Sequence, residues 1–175
     1  WVQSGPFRRR CDLVGFVNGL PLVFIELKRH DKGLKAAFDD NYTDYKDTIP
    51  RLFHYNALVI VSNGIDARFG SITSTWDHFY RWKRLKEEDP DPAPKHDEVP
   101  LKPILPILLR GMCTKSALLD IIENFILFDS SEEVTLKVVT RNHQYIGVNR
   151  AIARLKAGDA EVVAGKLGVF WHTQG

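Results

Sequence analysis

The chain has 175 residues, 44% hydrophobic and 26% charged, enough to bury a core as one domain with room for part of another. A net charge of +2 and a pI near 8.5 exclude a globally polybasic binder, so any nucleic-acid site has to be local. Cys11 and Cys113 form no CxxC pair, the six histidines lack zinc-ligand spacing, and no apolar run approaches ~20 residues. These features, with no signal-peptide pattern, point to a reducing, cytoplasmic setting without a membrane and without structural zinc. The opening at Trp1 and the ending in GVFWHTQG read as a piece of a longer chain.

Trp1 to Arg10 carries three consecutive arginines, Arg8, Arg9 and Arg10. They either clamp a phosphate backbone or form a solvated lead-in. Next, DLVGFVNGLPLVFIELK, Asp12 to Lys28, holds two apolar runs around Asn18-Gly19, whose positive φ angles suit a tight hairpin. Neither run alternates cleanly, so both strands are expected inside a sheet with both faces covered. A three-residue loop centred on Gly19 would set Asp12 opposite Glu26, with Cβ atoms roughly 5 Å apart. Lys28 would point the same way and Leu27 into the opposite layer.

Two carboxylates at the rim of an apolar sheet repel unless a cation compensates them. A divalent ion held there could bind a phosphodiester oxygen and acidify a water, with Lys28 orienting that water or stabilising developing charge. The competing reading is a solvated strand end, which is the common meaning of an isolated E-x-K.

Beyond the hairpin, Leu34, Phe38, Asn41 and Tyr45 recur at helical spacing over Lys32 to Thr48, and Pro50 ends the run. Asn41 and Tyr45 share the inward face, where the amide needs a partner. Ala57 to Val61 and Ala67 to Ser74 read as third and fourth strands, joined by Ser62-Asn63-Gly64. Trp76, Phe79, Tyr80 and Lys83 predict a helix whose Trp82, Arg81, Lys83 and Arg84 form an aromatic and basic surface that could grip nucleic acid, with Trp76 and Phe79 expected to pack against the sheet.

Six prolines between Asp89 and Pro106 mark an extended loop. A strongly apolar helix is predicted over Ser116 to Phe128, a strand over Val134 to Thr140 and a helix over Gln144 to Leu155. A final buried strand is predicted over Gly168 to Trp171.

With DLVGFVNGLPLVFIELK, YKDTIPRLFHYNALVIVSNG, NHQYIGVNRAI and GVFWHTQG in that order, the chain resembles the motor (R) subunit of type I restriction enzymes over nearly its whole length. The resemblance implies an α/β fold: a mixed β-sheet flanked by helices, the restriction-endonuclease-like PD-(D/E)xK core, then the first segment of a RecA-like domain. It implies a nuclease domain over 1–130, including the Pro-rich loop 89–106, and the opening of a motor domain over 131–175. Asp12, Glu26 and the Leu27 carbonyl would hold Mg2+, Lys28 would be the catalytic lysine, and Asn41 and Tyr45 would form the second nuclease motif. Arg8, Arg9, Arg10, Arg81 and Lys83 would meet double-stranded DNA. NHQY would put Gln144 near the adenine of ATP, the alternative being a helix-start amide, and Gly175 would lie in an unfinished phosphate loop, so this chain alone should not hydrolyse ATP. Methyltransferase and specificity subunits would be the partners.

Three departures from the family pattern stand out. Cys11 occupies the position of the motif's Pro, Asn41 replaces its Gln, and the preceding helix with a further acid is missing. Two rival readings are an inactive DNA-binding or interaction module and the nuclease of another ATP-driven helicase.

Overall fold

The structure is a computed structural model describing residues 1–93, 99–131, 133–158 and 165. A small hairpin, β1 (Val2–Ser4) and β2 (Phe7–Arg9), precedes the long hairpin β3 (Leu13–Val17) and β4 (Leu20–Leu27). β4 pairs in parallel with β5 (Leu58–Ser62), which pairs antiparallel with β6 (Ala67–Gly70), giving the order β3-β4-β5-β6. The α/β class and the mixed sheet match the sequence reading.

The parallel β4–β5 pair needs a crossover, supplied by helical turns α1 (Leu34–Ala36), a π-helical stretch (Ala37–Tyr42) and α2 (Thr43–Thr48), then a 3-10 turn (Pro50–Phe53). Proline at the start of that turn ends the helix, as its missing N–H predicts. The crossover covers one face of the sheet, where Phe24, Tyr42, Tyr45, Phe53 and Val61 form one core cluster. Val23, Ile25, Ile60, Trp82, Leu108 and Ile121 form the other cluster across the sheet. Alternation along β4 therefore sends Phe24 and Glu26 to the crossover side, and Val23 and Ile25 to the other.

The hairpin does not lie wholly inside the sheet: β4 is central, but β3 is an edge strand with Leu13 and Phe16 exposed. Of its apolar run, Val14 packs against the crossover-side cluster and Val17 against the opposite one, while Leu13 and Phe16 stay exposed. The Asn18-Gly19 turn has two residues rather than three, with φ of 49° and 82° and Val17 paired to Leu20.

No helix spans Trp76 to Lys83. A 3-10 turn covers Trp76–His78 only, after which Tyr80 bridges Phe69 through reciprocal backbone bonds of 2.9 Å. Spacing that reads as helical is here an extended chain alternating its faces, with Phe79 in the crossover-side cluster and Trp82 in the opposite one. The expected aromatic surface is therefore absent, since Trp82 is 1% exposed.

The Pro-rich stretch gives way to α3 (Ile104–Met112), and α4 (Lys115–Asn124) stops short of Phe128. Ile126–Asp129 instead forms β7, paired with β8 (Leu136–Val139), because an extended β7 can share a ladder that a helix would leave unmade. α5 (Asn142–Ala157) follows. The β7–β8 hairpin straddles positions 130 and 131, and it is tied to the main body where Ser71 and Thr73 bond the backbone of Lys137. Asn142 stitches α5 to the extended chain, accepting from the N–H groups of Lys83 and Arg84 and donating to the Arg84 carbonyl. The expected strand 168–171 lies outside the described residues.

The packing of α3 on Trp82 makes one stability prediction. A Cβ at Gly111 would stand 2.0 Å from Trp82 Nε1. Gly111→Ala is therefore expected to destabilise the fold by about 1–3 kcal/mol despite Ala's better helix propensity. Thermal unfolding should show a fall in Tm of several degrees.

Candidate active site

Asp12 and Glu26 meet at the open end of β4. Phe16 pairs with Pro21 but Gly15 pairs with Val23, so Leu22 is an extra residue in β4. This bulge moves the register from a sum of 37 at the two-residue turn to a sum of 38 beyond it, where Leu13 faces Ile25. One step further along the same register sets Asp12 across from Glu26. The expected juxtaposition thus arises through a bulge rather than a longer loop.

The Asp12 Oδ2 accepts the Leu27 N–H at 2.8 Å, which fixes the carboxylate one peptide from Glu26. Glu26 is 1% exposed. Its Oε1 accepts a short hydrogen bond from Asn41 Nδ2, and Lys28 Nζ lies 3.9 Å from the same oxygen. Its Oε2 is buried with no hydrogen-bond partner among the described residues. Burial first, and then the Asp12 carboxylate, push the Glu26 carboxyl up to about 7, against the opposing pull of Asn41 and Lys28. Lys28 itself is half-buried, with its backbone N–H on the Ser62 carbonyl at 2.8 Å.

Asn41 reaches Glu26 because of the π-helical stretch. The Thr43 N–H bonds back five residues to the Phe38 carbonyl, inserting one residue into the helical phase. The buried stripe then runs through Leu34, Ala37, Tyr42 and Tyr45 rather than through Phe38 and Asn41. Asn41 is left at the edge of that stripe, half-buried, with its amide on the carboxylate. Tyr45 donates its hydroxyl to the Arg10 carbonyl at 3.2 Å, and burial followed by the Glu26 charge pushes its phenol up to about 12. Cys11, where the motif would have Pro, is half-buried, and its thiol is pushed up by burial and then by Glu26.

Other residues singled out from the sequence fall elsewhere. Leu27 is exposed on the face opposite Glu26. Arg9 forks onto Asp44, Nε to Oδ2 at 2.7 Å and Nη2 to Oδ1 at 3.1 Å, whereas Arg8 and Arg10 are exposed. Arg81 grips Asp66 through two bonds of 2.7 and 2.8 Å, and Lys83 pairs with Asp91 at 3.1 Å, so both are tied to the body of the fold. Gln144 accepts the Arg141 N–H at 2.9 Å, capping the start of α5. Gly175 lies outside the described residues. The sequence reading missed the structural roles of Asn142 and Asp44; an asparagine two residues before Gln144 and an acid facing Arg9 carry no local signature.

Two carboxylates, one with an unpartnered buried oxygen and a raised pKa, suit a hard divalent cation that would compensate both charges. Among the described residues no group of three or more His, Cys, Asp or Glu side chains could hold a metal. A further ligand would have to come from backbone, water or substrate, as suits an ion that keeps open positions.

The family profile described as Type I restriction enzyme R protein N terminus matches residues 1–78. The chain is similar to the type I restriction enzyme HindI endonuclease subunit of Haemophilus influenzae, 40% identical over 172 residues, 96% of this chain and 16% of that protein. It is also similar to a putative type I restriction enzyme MjaIXP endonuclease subunit of Methanocaldococcus jannaschii, 32% identical over 100% of this chain and 18% of the relative. The EcoprrI endonuclease subunit of Escherichia coli is 28% identical over 97% of the chain and 52% of its own length. The chain therefore spans less than a fifth of the first two relatives. On the profile and these relatives together, the chain belongs to the type I restriction enzyme R proteins, in the region described as their N terminus.

Proposed function

We propose that the chain is the nuclease region of a type I restriction enzyme R subunit, hydrolysing DNA phosphodiester bonds with Mg2+ at Asp12 and Glu26. The observation that carries this reading is the buried Glu26 carboxylate with one oxygen unpartnered, beside Asp12 and Lys28. A buried carboxylate such as Glu26, repelled by the exposed Asp12 carboxylate beside it, is costly unless a cation completes the pair. The Leu27 carbonyl is the backbone candidate for a third ligand. When bound, the ion would supply Lewis acidity toward a phosphate oxygen and lower the pKa of a water.

Asn41 holds the Glu26 carboxylate in one orientation, and Lys28 keeps an ammonium beside it to steady developing charge. Tyr45 pins the segment that leads into Asp12 through its bond to the Arg10 carbonyl. A PD-(D/E)xK core over 1–130, a RecA-like segment over 131–175 with ATP bound by the parent subunit, and partnership with methyltransferase and specificity subunits in the cytoplasm belong to the same proposal. Among the described residues no helix is long and apolar enough to cross a membrane.

Calorimetric titration with Mg2+ or Mn2+ is the test. The unaltered chain is expected to bind one ion, and Asp12→Ala to weaken that binding at least about tenfold. Equal heats from both proteins would sink the nuclease reading in favour of an interaction module whose carboxylates hold no ion.

A further inference from the structure

The fold divides three arginines that the sequence presents as equivalents. In the β1–β2 hairpin Val2 faces Arg9, and Gln3 faces Arg8. Opposed residues share a face, so Arg8 and Gln3 point one way and Arg9 and Val2 the other. Val2 and Arg9 are half-buried and Gln3, Arg8 and Arg10 exposed. Arg9 is committed to Asp44 on α2. Arg8 instead lies over the ring of Trp1, 4.7 Å from its centroid, and Trp1 is 73% exposed. Continuing the alternation by one residue puts Arg10 on the same outward face, two residues, or roughly 7 Å, from Asp12.

We propose that Arg8 and Arg10, with Gln3 and Trp1, form a strip that grips the phosphate backbone of the DNA strand leading into the carboxylate pair, and that Arg9 takes no part in it. The assignment rests on the DNA-cleaving reading above. Trp1 to Arg10 contains no acid, and Asp44 on α2 is taken by Arg9, so neither offsets the charge that Arg8 presents on the outward face. A guanidinium held over an indole face is already partly ordered, which limits the further ordering needed to meet a phosphate. The Tyr45 bond to the Arg10 carbonyl fixes the strip's end against the site. The amide of Gln3 adds a neutral donor on the same face.

The test measures binding of a fluorescein-labelled 20-bp duplex to the chain, without divalent metal, between 50 and 200 mM salt. Each lost phosphate contact lowers the slope of log K against log salt by about 0.9. Arg8→Gln with Arg10→Gln should therefore lower it by about 1.8. Arg9→Gln should leave the slope unchanged, because that charge is already paired. A double variant with an unaltered slope, an equal loss in Arg9→Gln, or no salt-dependent binding by the unaltered chain overturns the proposal. Asp12→Ala separates it from the nuclease reading: the slope should persist while metal-dependent cleavage disappears. If cleavage survives in Asp12→Ala and the arginine effect is as stated, the nuclease assignment fails and the strip stands.

Discussion

Glu26→Gln is expected to lower metal-dependent DNA cleavage by roughly 10^3-fold while leaving the fold intact, because Gln fills the same volume but cannot offer the ion a charge. Supercoiled plasmid nicking by the intact subunit in Mg2+ is the readout. The same substitution has a pH signature. Burial and the Asp12 carboxylate raise the Glu26 carboxyl from an ordinary 4.5 to about 7, so between those values the folded chain binds more proton than the unfolded one. Its stabilising contribution is complete below about pH 4.5, is lost as pH rises through about 7, and is constant beyond.

The unaltered chain should therefore lose stability relative to Glu26→Gln across that window, as followed by scanning calorimetry without metal. Two proteins whose Tm values move in parallel from pH 5 to 8 would show that Glu26 does not titrate there. On the proposed metal site the balance would reverse, since a bound ion would take the deprotonated carboxylate. Binding of Mg2+ below pH 7 should release protons, seen as heats that differ between buffers of different ionisation enthalpy.

Phe24→Ala carries the largest expected cost to stability, about 3–5 kcal/mol. Phe24 is 1% exposed and touches the rings of Tyr42, Tyr45 and Phe53, with centroids 6.1, 5.8 and 5.1 Å away. It is the side chain that seats the crossover on β4. Removing it leaves a cavity between the strand that holds Glu26 and the helical segment that holds Asn41. At about 2–4 °C per kcal/mol for a chain of this size, Tm should fall by about 6–20 °C. Phe24→Leu, which keeps most of the volume, should recover much of the loss. A Phe24→Ala chain with an unchanged Tm would mean the two layers do not depend on this contact.

Local chemistry was enough for part of this. Asn18-Gly19 between two apolar runs specifies a hairpin whatever surrounds it, because few other residues accept two successive positive φ angles. The β-branched run before Ser62 specifies β5, and Pro50 specifies where the helical crossover stops. The position of Asp12 relative to Glu26 was also legible, though a bulge at Leu22 and a two-residue turn produce it together, where a longer loop was expected.

Elsewhere the sequence misled for identifiable reasons. Trp76, Phe79 and Tyr80 fit a helical spacing, but the backbone of Phe69 offered Tyr80 a pair of hydrogen bonds and two clusters took the aromatics from opposite faces. Ile126 to Phe128 is apolar enough for either helix or strand, and the partner at Leu136–Val139 chose the strand.

The sequence by itself determined the hairpin, the mixed α/β class and the acid, acid, lysine grouping, since these depend on turn chemistry and on the two-residue period of a strand. Only the tertiary structure decided which face each layer covers, that a π turn brings Asn41 to Glu26, and that of Arg8, Arg9 and Arg10 the middle one is bound inward by Asp44. Those outcomes turn on contacts between segments about 15 to 35 residues apart. No local propensity encodes the partner at such a distance, because it is selected by the burial and charge pairing of the whole fold.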